Sequence, residues 1–145
     1  MPEPRPHDPA HEPAPAARLL CDVHAPARTP DASGVLWKPA ESGRQLDANL
    51  VRLPAGERIG SHAESDLDVL VLVVGGEGTM HTPQGDLSLA EGALVWLPHG
   101  STRSITAGPE GLTYITVHRR RPGMQIRPHP ESALASAHAG AGRRS

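Results

Sequence analysis

The sequence predicts an all-β domain of short antiparallel strands, held between two arms that lack the composition to fold alone. Three observations lead there. Between residues 34 and 126, apolar segments of four to seven residues alternate with Gly, Pro and Asp punctuation. No window of 11 or more residues keeps a 3.6-residue apolar period without a Gly or Pro breaking it, which argues against amphipathic helices. Apolar side chains larger than Ala are also concentrated, with 29 in the 93 positions of 34–126 and 6 in the 52 positions outside. Short strands at regular spacing with turn signals between them make a sandwich or a barrel.

Residues 1–33 hold eight of the 16 prolines among Ala, His and acidic residues. Such a segment buries too little to repay its ordering entropy and is expected to be disordered or extended. Arg18 to Val23 is the part expected to dock as an arm. The expected strands cover residues 35–38, 47–53, 69–74, 78–82, 86–89, 93–97, 103–106 and 112–118. In the second of these, Asp47, Asn49 and Arg52 read as polar punctuation among Leu46, Leu50, Val51 and Leu53. Residues 69–74 are apolar at every position, which suits a central strand covered on both faces. Gly75-Gly76-Glu77-Gly78 reads as a turn, as do Pro83-Gln84-Gly85-Asp86 and Glu91-Gly92. Trp37, Trp96 and Tyr114 are expected to be packing residues. Residues 127–145 form a second arm, with Leu134 as its one large apolar side chain.

Composition excludes several classes. A net charge of -2 carries no footprint for nucleic acid or an anionic membrane. The single Cys21 precludes an intrachain disulfide framework and a cysteine-based zinc site. The longest apolar run, residues 69–74, is six residues, against the roughly 18 that cross a bilayer. The N-terminus shows no basic stretch followed by an apolar run. A cytoplasmic protein is expected.

Two stretches carry the motif. Residues 56–75 run from Gly56 through His62, Glu64 and Asp68 to Gly75, and residues 92–107 run from Gly92 through Pro98, Gly100 and Arg103 to Ala107. The spacing of these positions resembles the two signature motifs of the cupin superfamily. The first motif is Gly, five residues, His-x-His, three or four residues, Glu, six residues, Gly. The second is Gly, five residues, Pro-x-Gly, two residues, His, three residues, Asn. The resemblance covers about residues 34–120 and implies a small antiparallel jelly-roll barrel around a lumen, with the domain at 34–126. It also implies a homodimer, for which the segment around Leu19–Val23 is the candidate arm.

At the ligand positions the sequence departs from the family. Metal-binding cupins set three His and one Glu in the lumen, whereas the corresponding residues here are His62, Glu64, Asp68 and Arg103. A guanidinium has five donors and no lone pair for a metal. Arg103 is therefore expected to lie between Glu64 and Asp68, in the place of the ion, with a solvent-facing strand position as its alternative. The expected function is binding of a small polar molecule in the lumen by His62, Glu64, Asp68, Arg103, His81, Tyr114 and His118, with no cofactor. One alternative is a cupin-type dioxygenase, isomerase or lyase. It would use either a divalent metal on His62, Glu64, Asp68 and one of His81 or His118, or acid/base chemistry by Glu64 or Asp68 with Arg103 as an anchor. The other is a regulatory or accessory cupin with a protein partner.

Overall fold

A computed structural model describes residues 14–27 and 32–121. It contains a single helical turn, α1 (His24–Ala27), and seven strands: β1 (Gly34–Trp37), β2 (Leu46–Leu53), β3 (Arg58–Ala63), β4 (Val69–Thr82), β5 (Gly85–Ala90), β6 (Leu94–Leu97) and β7 (Thr102–Arg119). All pairings are antiparallel, in the order β1-β2-β7-β4-β5, with β3 added to β7 and β6 to β4. The fold is the antiparallel jelly roll that the spacing predicts. Residues 1–13, 28–31 and 122–145, which hold most of both expected arms and the last five positions of the expected domain, lie outside the described residues.

The roll comes from bending its two longest strands. The N-terminal half of β4 pairs with β6 and with residues 112–117 of β7, while its C-terminal half pairs with β5 and with residues 104–107 of β7. Register shifts between Val73 and Gly75 and between Gly76 and Gly78 mark the corner. Extra residues of this kind bend a strand and raise its twist. Gly76 holds a φ of +71°, and a Cβ there would lie 2.1 Å from the carbonyl oxygen of Gly111. The glycine stretch expected as a turn is thus a bulge inside one strand, and two expected strands are one. The same fusion joins 103–106 to 112–118 as β7.

Inside the roll lie Val51, Ile59, Val71, Val73, Met80, Leu89, Ile105, Leu112 and Tyr114, with others of the same kind. Val and Leu supply the bulk that Phe would otherwise give, since the chain has no Phe. Residues 69–74 are not covered on both faces as expected. Val69, Val71 and Val73 point in, whereas Leu70 and Leu72 are exposed. Across the strand pair they meet Trp96 and Leu94, which are 61% and 66% exposed. Trp96 is therefore a surface residue, contrary to its expected packing role. The N-terminal segment touches the barrel through His24, whose Nε2 donates to the Val74 carbonyl at 3.3 Å, while Leu19 and Leu20 stay exposed. No helix among the described residues is long and apolar enough to cross a membrane.

Candidate functional site

Strand register decides which polar side chains enter the barrel. Opposed residues in an antiparallel ladder share a face, and neighbours along a strand alternate. One inner row is Val51, Tyr114 and Val73; the next is Asn49, Thr116 and Val71; the third holds Asp47 and His118. On the other half of the roll, Ile105 opposes Ile59 and Met80, so Arg103, two residues earlier on β7, faces inward beside its partner His62 on β3. Arg103 thereby reaches the lumen and not the solvent.

Three of these inner polar groups are deeply buried and poorly partnered. Arg103 is 7% exposed, Asn49 8% and Tyr114 4%. The guanidinium donates one bond, from Nη1 to the Ser101 carbonyl at 3.3 Å, and forms no ion pair with a carboxylate among the described residues. Burial holds its pKa below the ordinary arginine value, opposed by the Glu64 carboxylate and then by Tyr114. Burial pushes the Tyr114 phenol well above its usual value, with Arg103 opposing. The phenol is thus a neutral donor. Neither the Tyr114 hydroxyl nor the Asn49 amide has a hydrogen-bond partner among the described residues. A buried polar group without a partner costs about 1–3 kcal/mol, and a charged one more.

The two carboxylates expected beside Arg103 are engaged elsewhere. Glu64 lies one residue past β3. It pairs with Arg121 and accepts the Asp66 N–H at 3.1 Å. Asp68 lies one residue before β4 and faces the Pro98-His99-Gly100 turn. Its Oδ1 accepts both the backbone N–H and the Nδ1–H of His99 at 2.8 Å, and the His99 side-chain bond first of all holds the carboxyl below the usual range. Gly100 N–H, bonded to the Glu64 carbonyl at 2.7 Å, fixes the same turn against the end of β3. The expectation that Arg103 lies between Glu64 and Asp68 is thereby corrected. A turn N–H and a second arginine take these carboxylates instead.

The histidines separate as well. His62 is half-buried, and its Nδ1–H donates to the Gly60 carbonyl at 3.0 Å. His81 follows Met80 on β4 and therefore faces outward, where Nδ1–H donates to Asp86 at 3.1 Å and Nε2 accepts the Thr106 hydroxyl at 3.1 Å. It does not belong to the inner site. His118 stands at the lumen end of the third row, with Nδ1–H bonded to the Arg119 carbonyl at 2.8 Å. Among the described residues no three His, Cys, Asp or Glu side chains converge as a metal ion would need. The four motif positions do not fit the metal that the fold's motifs imply. Arg103 has no lone pair, and Glu64 and Asp68 point to other partners.

Asn49 is the residue that the sequence pattern misplaces, because a single Asn inside an apolar strand reads as an outward position. Period-two alternation with Val51 and Leu53, in place of Leu50, was the signal for an inward one.

No protein-family model matches the chain, and no curated protein does either. Solved structures do match. An uncharacterized conserved protein with a double-stranded β-helix domain from Klebsiella pneumoniae is similar over 71% of this chain and 90% of its own, at 17% identity and a TM-score of 0.58. A cupin-2 domain protein from Shewanella frigidimarina is similar over 62% and 81%, at 19% identity and a TM-score of 0.50. A sugar phosphate isomerase of the cupin superfamily from Silicibacter pomeroyi is similar over 55% and 53%, at 24% identity and a TM-score of 0.50. This chain spans about half the length of that isomerase. At these identities the likeness establishes the cupin fold, and the fold alone.

Proposed function

We propose that this cupin-fold chain binds a small polar molecule in the barrel lumen, without a standard metal site. The observation that carries the reading is Arg103, a buried cation on the inner face whose guanidinium has one backbone bond at 3.3 Å. Burying an ion costs several kcal/mol unless a partner repays it. A ligand that brings acceptors to Arg103, Tyr114 and Asn49 supplies that repayment, and the surrounding apolar wall raises the worth of each contact. The enzymatic alternative has less support. A general base needs a pKa near the working pH, whereas Asp68 is exposed and shifted the other way.

The homodimer is part of the proposal, with the exposed apolar face of β4 and β6 as its interface. A second copy presents the same uncharged surface of Leu70, Leu72, Leu94 and Trp96 across a twofold axis. Two such sheet faces pack about 10 Å apart.

A thermal-shift screen of metabolites and divalent metals, run on the native chain and on Arg103→His, tests the ligand reading. Polar metabolites are expected to raise the melting temperature of the native chain, and Arg103→His is expected to lose that response. A native chain that answers to no metabolite, or only to metals, overturns the proposal.

A further inference from the structure

Resting on the lumen-binding reading, we infer that the ligand is a small monocarboxylic acid, its carboxylate on Arg103 and Tyr114 and a hydroxyl or other hydrogen-bonding substituent on Asn49. Charge is the first argument. Arg103 is a desolvated cation whose neighbouring carboxylate, Glu64, is committed to Arg121. Asp47, the carboxylate of the third inner row, is paired with Arg44, so Arg103 has no carboxylate of its own among the described residues. Among the described residues the inner rows contain no second Lys or Arg. A single cation matches a monoanion better than a phosphate, which carries close to two charges at neutral pH. Backbone N–H groups, the other usual phosphate ligands, are spent here in the ladders of β2, β4 and β7.

Geometry is the second argument. A guanidinium is a planar fork that takes a carboxylate through two parallel N–H bonds. One of its five donors is used by Ser101, which leaves an edge for that pairing. Tyr114 adds a neutral hydroxyl, whose O–H can donate to an anionic oxygen beside the guanidinium. Asn49 sits one row along on the same inner face, diagonal to Tyr114. Its amide both donates and accepts, so it suits a hydroxyl, an amine or a carbonyl on the carbon chain. The other side chains inside the roll, Val51, Val71, Val73, Ile59 and Met80, are aliphatic and form one core cluster with Tyr114, so they suit only a short hydrocarbon skeleton.

The test is calorimetric titration of the full chain with straight-chain monocarboxylates, their 2-hydroxy derivatives, the matching primary amides, neutral polyols and inorganic phosphate. The expected result is binding of carboxylates, about tenfold or more tighter than the matching amides, with the hydroxy acid tighter than its parent acid. Arg103→Lys keeps the charge and loses the fork, and is expected to weaken carboxylate binding about tenfold. Asn49→Val is expected to retain the parent acid and erase the preference for its hydroxy derivative. If polyols or phosphate bind while carboxylates do not, the carboxylate assignment falls and the lumen reading stands. If none of these compounds binds but other metabolites raise the melting temperature, the assignment falls again. If no compound of either set binds, the lumen reading itself has failed.

Discussion

Replacing Arg103 by Met tests the energetic side of the site without any ligand. The native guanidinium is 7% exposed and makes one hydrogen bond, to the Ser101 carbonyl at 3.3 Å. Met has similar reach and no charge, so the substitution removes a desolvation penalty of several kcal/mol. Against this stand the Ser101 bond, about 1.5–3 kcal/mol for a charged donor, and the through-space attraction of Glu64. Glu64 keeps Arg121 and the Asp66 N–H, so its own charge is not left alone. Exchanges of buried ions for apolar residues of similar volume are often stabilising by about 1–4 kcal/mol, and the ligand-free Arg103→Met chain is expected near the lower half of that range. A domain of this size gains about 4–8 °C in melting temperature per kcal/mol. Calorimetry of ligand-free protein reads the shift, and the same variant is expected to lose all response to carboxylates. A ligand-free Arg103→Met chain destabilised by more than about 1 kcal/mol would mean that Arg103 is already satisfied and needs no ligand.

Three further outcomes follow from the same structure. Gly76→Ala is expected to cost more than about 3 kcal/mol, because the new Cβ meets the Gly111 oxygen at 2.1 Å with φ at +71°; a loss under about 1 kcal/mol in urea unfolding would show that the β4 corner is soft. Tyr114 is the one tyrosine of the chain, so phenolate absorbance reports it alone. Its folded pKa lies above the unfolded value of about 10, so its stabilising effect is complete below that pH and is lost as pH climbs toward the folded value. Phenolate is expected to appear only with unfolding, and a reversible titration near pH 10 with a native circular dichroism spectrum would contradict the burial. Leu94→Lys is expected to convert a dimer to a monomer in light scattering while the melting curve stays cooperative; a monomeric native chain at micromolar concentration would remove the proposed interface.

The barrel was legible in the sequence because its signals are local. Spacing from Gly56 to Gly75 and from Gly92 to Arg103 depends on turns and bulges that the chain must make wherever it lies. Strand continuity was not legible, since Gly75 to Gly78 carries turn composition, and its extension depends on cross-strand pairing with β5 and β7. The exposed Leu70 and Leu72 show the limit of an apolar run as a burial signal. Six apolar residues in a row do not reveal whether a second layer covers the outer face. Side-chain pairing was the least legible. Arg103 opposite Glu64 and Asp68 was the simplest solution on charge alone, yet Arg121 and His99, far away in sequence, compete for those carboxylates. Asn49 was hidden because its direction follows from the register with Thr116, a contact between residues 67 positions apart.

The most direct measurement is a crystal structure of the native chain grown with a short hydroxy acid present. The carboxylate is expected to be forked on Arg103, with the Tyr114 hydroxyl on the same group and Asn49 on the substituent. A guanidinium bonded directly to Glu64, in a lumen closed by Val71, Val73 and Met80, would contradict it.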